Sequence, residues 1–318
     1  MLNARITRVD RGAYDVLTDD GPLRVLALPR GEVATVGDRV ALDDDRTRAV
    51  ALLPRTSLLS RGVASGHSAA QPLAANVDAV LLCFGLHVPV PAPRLEQLLV
   101  LAWDSGAEPV VVLTKADLCD DLAAVRAQVA RSAPGVVVAA VSAATGDLSE
   151  LAAYDTPGTT LVLLGASGAG KSTLVNALAG TEAMATGEVR ATDGEGRHTT
   201  SHRELVVLPS GAVVIDTPGL REVAVRAGED AVARAFPDVD ALVAQCRFSD
   251  CGHGTEPGCA VLTAVHDGAL PAARLASWQQ LQREVAFQAR RTDARLRAEE
   301  RAKWKRVSRA HRARGGRP

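Results

Sequence analysis

Over the first 62 residues, apolar and polar positions alternate in short segments, Ala4 to Val9, Leu23 to Leu28 and Arg39 to Leu42. Turn clusters break them at Asp19-Asp20-Gly21-Pro22, Pro29-Arg30-Gly31 and Asp43-Asp44-Asp45. This two-residue period predicts a small β-barrel over 1–62, of OB type; a β-domain of no particular shape fits the same pattern. From Asn76 the rhythm changes. Apolar runs at Val77 to Phe84, Val110 to Leu113, Val136 to Val141, Leu161 to Leu164, Leu205 to Leu208 and Ala212 to Ile215 read as buried strands. Helical stretches lie between several of them, near Arg94 to Trp103, Leu122 to Arg131 and Ser172 to Leu178. Alternation of this kind predicts an α/β domain on a largely parallel sheet, over 63–228. Beyond about 230 the pattern turns irregular around three cysteines and ends in a long helical run, Ala272 to Arg309.

Composition adds a compartment and a polarity. With 318 residues and 47% hydrophobic positions the chain can bury large cores without disulfide staples. No run approaches the ~18 apolar residues of a membrane helix, and Arg5, Arg8 and Asp10 interrupt what a signal peptide would keep apolar. We therefore expect a cytoplasmic, membrane-free protein. The formal charge of −1 is unevenly placed. Residues 283–318 carry thirteen Lys and Arg against four Asp and Glu, a net +9, which leaves the preceding body at −10. A basic tail on an acidic body suits an anionic partner such as nucleic acid; a solvated arginine-rich helix is the plainer alternative. Of 36 basic residues only Lys115, Lys171, Lys303 and Lys305 are lysine, so each lysine merits attention.

The sequence Gly165, Ala166, Ser167, Gly168, Ala169, Gly170, Lys171, Ser172, Thr173 follows an apolar strand and precedes a helix, the context a phosphate-binding P-loop requires. Glycines let backbone amides turn onto phosphate oxygens, and the helix N-terminus adds its positive dipole end. Lys171 would reach the β and γ phosphates and the Ser172 hydroxyl would ligate Mg²⁺. Downstream, the strand ending in Asp216 places a carboxylate where it can hold Mg²⁺ through water, and the Gly219 amide could sense the γ phosphate. Between them lies a polar stretch, Thr181 to Arg203, long enough to be functional or disordered. Within it Thr200, or its neighbour Thr199, could complete the Mg²⁺ shell.

A P-loop alone fits ATPases, kinases and GTPases. The base is set by Thr114, Lys115, Ala116 and Asp117 at the end of a strand. An aspartate there accepts both N1–H and N2–H₂ of guanine, a donor pair adenine lacks, and Lys115 can lie along the base plane. Ser142, Ala143 and Ala144, after the next strand, fit a backbone amide aimed at guanine O6. The order is inverted relative to an ordinary GTPase, because the guanine motifs precede the phosphate loop. Circular permutation preserves the fold and puts the Asp216–Gly219 segment at the exit of the domain, coupled to whatever follows.

Cys246, Cys251, His253 and Cys259 are separated by four, one and five residues. Three thiolates and an imidazole suit one tetrahedral structural zinc with no open position; a reactive thiol cluster or buried free cysteines are the alternatives. Cys83 and Cys119 read as ordinary residues.

Permuted GTPase motifs followed by this C-x₄-C-x-H-x₅-C pattern resemble the RsgA (YjeQ) family of small ribosomal subunit biogenesis GTPases. Leu73 to Asp78 and Gly196 to Thr200 are also similar to family sequence. The resemblance implies an α/β P-loop GTPase domain, circularly permuted, between an N-terminal OB-like barrel and a C-terminal helical zinc-binding domain over 229–318. It further implies GTP hydrolysis stimulated by the 30S ribosomal subunit, contact with 16S rRNA, and a role in late maturation of that subunit; we expect a monomer. The family more often has asparagine where Thr114 stands; threonine keeps a hydroxyl but loses the amide that braces the guanine loop against the phosphate loop, so weaker nucleotide binding is expected, with guanine selectivity retained because it rests mainly on Asp117. Leu220 stands where Ras-like enzymes place the water-orienting glutamine and cannot orient water. His198 is the candidate for that task, with an RNA-contacting or solvent-exposed histidine as its alternative. A GTP-dependent RNA-binding switch without catalysis, and a P-loop kinase or ATPase, are the rival functions.

Overall fold

A computed structural model describes residues 2–28, 33–61, 71–181, 204–216 and 227–292. Five antiparallel strands, β1 (Asn3–Asp10), β2 (Ala13–Thr18), β3 (Gly21–Leu26), β4 (Arg39–Leu42) and β5 (Ala49–Leu52), pair in the order β3-β2-β1-β4-β5. A parallel bridge from Leu26 to Arg48 joins β3 to the start of β5, with the Leu26 amide 2.8 Å from Thr47 O. That closure fits the five-stranded OB-like barrel expected. Its core follows from strict alternation: Tyr14 and Val16 point inward with Ala4, Ile6, Val25, Val40, Leu42 and Ala49, all buried.

A hairpin, β6 (Leu58–Arg61) with β7 (Gln71–Ala75), leads into the second unit. Leu59 and Leu73 pack in that unit's core and not in the barrel, so β6 joins the α/β layer although it lies before residue 62. The main sheet comprises β8 (Ala79–Gly85), β9 (Glu108–Thr114), β10 (Val137–Ala140), β11 (Thr160–Leu164), β12 (Glu204–Val207) and β13 (Val213–Asp216). Its order is β10-β9-β8-β11-β13-β12, parallel except for β12. Every residue of β8 is buried, because both faces are covered. Val80, Leu82 and Phe84 meet α1 (Ala92–Ser105), while Ala79, Leu81 and Cys83 face the side of α3 (Lys171–Ala179). α2 (Leu122–Ser132) connects β9 to β10. The chain leaves β8 toward β9 and β10, then returns on the other side of β8 as β11. That reversal opens a crevice beyond the carboxyl ends of β8 and β11.

The barrel is fastened to this sheet by polar contacts. Asn76, in the left-handed region at φ 54°, donates from Nδ2 to Gly37 O at 3.0 Å and accepts from the Thr56 amide at 3.0 Å. Asp78 accepts from the Thr160 amide at 2.8 Å, and Arg5 of the barrel donates to the Thr160 hydroxyl at 2.6 Å.

The region that reads as irregular contains short helices, α4 (Glu229–Ala235), α5 (Pro237–Val243) and α6 (Ala260–His266), before α7 (Ala272–Thr292). Each of the first three is seven residues long, too short to display a helical period. Arg274 ties them to the helices α1 and α2 that flank the sheet. Its buried guanidinium donates to Glu96 on α1 at 2.8 Å, to Asp238 on α5 at 2.7 and 2.8 Å, and to the carbonyls of Ser132 and Ala235 at 3.1 Å. It also stacks over Phe236 at 4.4 Å. No helix among the described residues is long and apolar enough to cross a membrane.

Candidate functional site

The phosphate loop leaves β11 at Gly165, whose φ of 150° and whose approach to Cys83 O, 2.3 Å from where a Cβ would sit, admit no side chain. Ala166, Ser167 and Gly168 lie exposed along the loop, Ala169 is buried, and Gly170 caps α3 with φ 80°. The first turn of α3, Lys171 to Thr173, therefore directs backbone amides toward the crevice, as an anion site requires. Lys171 Nζ arches back over the loop, 2.9 Å from Gly165 O and 2.7 Å from Ala166 O.

Thr114 ends β9 buried directly beneath this loop. Its hydroxyl donates to Ala169 O at 2.7 Å. A hydroxyl thus bridges guanine loop and phosphate loop, and Gly170 leaves it room, 3.1 Å from where a Cβ would stand. Lys115 follows at φ 57° and turns the chain into a short 3-10 segment, Ala116–Leu118. The Ala116 amide bonds Val141 O at 3.1 Å, pulling this segment against the loop after β10.

Ser142 makes the second link, donating from Oγ to Asp117 Oδ1 at 2.5 Å. One carboxylate oxygen is thereby fixed and the group is oriented. The Ser142 amide is itself engaged with Asp147 O at 2.9 Å, so an amide directed at a base must come from Ala143 or Ala144. Both line a cleft of about 260 Å³ together with Thr114, Lys115, Asp117, Gly170 and Thr173. Aspartate, lysine and phosphate loop thus share one cavity. Asp216 ends β13, whose Ile215 pairs with Val162 of β11, so its backbone lies beside the phosphate loop. His198, Thr199, Thr200 and Gly219 lie outside the described residues.

The four metal-ligand candidates converge. One donor atom from each of Cys246, Cys251, His253 and Cys259 lies within 4.8 Å of the others. Cys246 Sγ is 3.9 Å from Cys259 Sγ, and His253 Nδ1 is 3.6 and 3.4 Å from these two sulfurs. A tetrahedron with metal–sulfur bonds of ~2.3 Å and a metal–nitrogen bond of ~2.0 Å has edges of about 3.8 and 3.5 Å, so the donors fit a metal ion. His253 is positioned by an edge-on Trp278 ring at 5.5 Å and by Gln279, which donates to its carbonyl at 3.1 Å. Cys259 also caps α6, accepting from the Leu262 amide.

Glu256 escaped the sequence reading. Its carboxylate collects the amides of Gly254 at 2.8 Å, Thr255 at 2.9 Å and Gly252 at 3.1 Å, and these bonds hold its carboxyl down at about 2. It folds the loop that carries Cys251 and His253; the closely spaced Gly252 and Gly254 before an acidic residue were the available signal. Cys83, by contrast, is sealed under the phosphate loop, where burial pushes its thiol up to about 12. It is a packing residue.

A parallel sheet carrying guanine-type loops on β9 and β10 before a P-loop on β11 defines a circularly permuted GTPase. A family model described as RsgA GTPase matches residues 52–226, and the chain belongs to that family. It is 47% identical over 316 residues to the small ribosomal subunit biogenesis GTPase RsgA of Streptomyces avermitilis, covering 96% of this chain and 85% of that protein. The protein of the same name from Streptomyces coelicolor is likewise 47% identical, covering 96% and 86%. Among solved structures, YjeQ from Thermotoga maritima superposes with a TM-score of 0.65 at 28% identity, covering 89% of this chain and 98% of that one. YloQ, a circularly permuted GTPase, gives 0.64 at 27%, covering 91% and 96%. The chain is thus a GTP hydrolase.

Proposed function

We propose that this GTPase binds the 30S ribosomal subunit, assists its late maturation, and is released when subunit-stimulated hydrolysis resets the Asp216–Gly219 segment. One observation carries the nucleotide half: an aspartate oriented by Ser142 opens into the same cleft as the phosphate loop. The ribosomal half is supported by relatives named small ribosomal subunit biogenesis GTPase that align over nearly the whole chain.

In this reading Thr114, Lys115, Ala116, Asp117, Ser142 and Ala143 take the base, and Gly165 to Thr173 with Gly219 take the phosphates. Ser172, Asp216 and Thr200 would hold Mg²⁺, which supplies charge neutralisation at the β and γ oxygens. The cysteine–histidine cluster would hold one structural zinc. His198 would orient water, since Leu220 carries no polar group. The barrel (1–62), the zinc domain (229–318) and its basic tail would contact 16S rRNA around the permuted GTPase domain (63–228), with the protein acting as a cytoplasmic monomer.

The test is GTP turnover by the full chain with and without purified small subunits, in wild type and His198→Ala. Marked stimulation is expected in wild type, and its loss in the variant with GTP binding retained. Equal turnover with and without subunits would refute the coupling, and full stimulation of the variant would remove His198 from the mechanism.

A further inference from the structure

The loop after β8 carries His87, which none of the nucleotide motifs includes. Its ring folds back over Gly85: a Cβ on Gly85 would sit 2.8 Å from His87 Nδ1 and 2.9 Å from its Cε1. The same Cβ would be 3.6 Å from Ala169 Cα, so the imidazole and the phosphate loop flank Gly85. From this seat His87 Nδ1 lies 3.4 Å from Lys115 Nζ. In the tautomer that carries its proton on Nε2, Nδ1 accepts from this ammonium. Lys115 has a flexible four-carbon stem with three rotatable donors, so a partner at Nζ restrains where its ammonium sits.

We propose that His87 is a positioning residue for guanine nucleotide: it holds the Lys115 ammonium along the wall of the base cleft and so lowers the entropy lost when the base enters. Gly85 belongs to this arrangement because a Cβ there would meet the imidazole at under 3 Å and push it from its seat beside Lys115. Gly85 does not have a positive φ, so the backbone does not itself demand glycine there. The space for the ring does. The proposal rests on the reading of Lys115 and Asp117 as the guanine site.

The experiment measures GDP affinity and dissociation rate for the full chain, with ADP as the control ligand. His87→Ala is expected to weaken GDP binding ~3–10-fold, mostly through faster dissociation, as expected for loss of one solvent-exposed bond to a charged group. His87→Asn, whose Oδ1 can take the place of Nδ1, is expected to restore affinity to within ~2-fold of wild type. Gly85→Ala should reproduce the His87→Ala loss by displacing the ring, and should add nothing in the His87→Ala background. Wild-type affinity in His87→Ala overturns the proposal, as does failure of His87→Asn to rescue, or additive losses from Gly85→Ala and His87→Ala. If wild type binds GDP no better than ADP, the guanine reading itself fails and the proposal falls with it. If wild type is selective and His87→Ala is unchanged, only the role of His87 falls.

Discussion

Replacing Arg274 with methionine removes the only cation bonded to Glu96 among the described residues and tests how the C-terminal helices are held to the nucleotide-binding sheet. The two carboxylates around Arg274 are not equivalent. The Asp238 side chain is 35% exposed and can be rehydrated, whereas that of Glu96 is 3% exposed and cannot. The cost therefore falls on Glu96. Breaking a buried pair by removing one partner costs about 3–5 kcal/mol. Lost stacking on Phe236 adds to this, and methionine recovers part of it through its own packing.

The pH dependence carries a definite sign. Burial already raises the Glu96 carboxyl, with bonds from Ser277 and Arg274 opposing it. A carboxyl raised in the folded state contributes stability that is fully present below its unfolded value and is lost as pH climbs through the folded value. Without Arg274 the folded value rises further. The deficit of Arg274→Met should therefore grow from pH 5 to pH 8, by ~1.4 kcal/mol for each added pKa unit. Urea titration followed by tryptophan fluorescence at both pH values measures this, since Trp103 lies on α1 and Trp278 on α7. Pairing Arg274→Met with Glu96→Leu should recover most of the loss. A deficit below ~1 kcal/mol, or one equal at the two pH values, would refute the reasoning.

Asn76→Ala should destabilise the barrel's attachment by ~2–4 kcal/mol, from the buried carbonyl of Gly37 left unpaired, the lost bond to the exposed Thr56 amide and a left-handed backbone that alanine resists. Asn76→Gly should recover about 1 kcal/mol of it, read as the difference in urea midpoints; equal losses would remove the backbone term. Chelation of a bound metal should expose the thiols of Cys246, Cys251 and Cys259 to a thiol reagent at pH 8, while Cys83, held at about 12 by burial, stays silent in the folded protein. Reaction of Cys83 on the same timescale would contradict its placement under the phosphate loop.

What the sequence disclosed was local chemistry. The P-loop, the Thr114–Asp117 segment and the cysteine–histidine spacing are contiguous or nearly so, and each motif's side chains converge because turns of fixed geometry bring them together. Partnerships across the chain were hidden. Glu96 and Arg274 are 178 residues apart and, taken singly, read as the charged faces of amphipathic helices. The Thr114 hydroxyl serves as a brace only because Gly170 stands opposite, which no spacing rule announces. The hairpin of β6 and β7 lay across the expected boundary at 62, since the alternation of a strand does not say against which core it packs. Asn76 and Asp78 appeared only as part of a family-like segment; the structure gives them a task, joining barrel to sheet.

Whether Asp117 reads guanine within the permuted frame is decided by exchanging its hydrogen-bond polarity. Asparagine in its place accepts from N1–H but donates where the carboxylate accepted, which matches the 2-oxo group of xanthine and opposes the 2-amino group of guanine. Competition binding of GTP and XTP to Asp117→Asn should show GTP weakened by ~100-fold or more, for two bonds to a charged acceptor, with XTP now preferred. An Asp117→Asn protein that keeps wild-type GTP affinity and rejects XTP would show that Asp117 does not read the base.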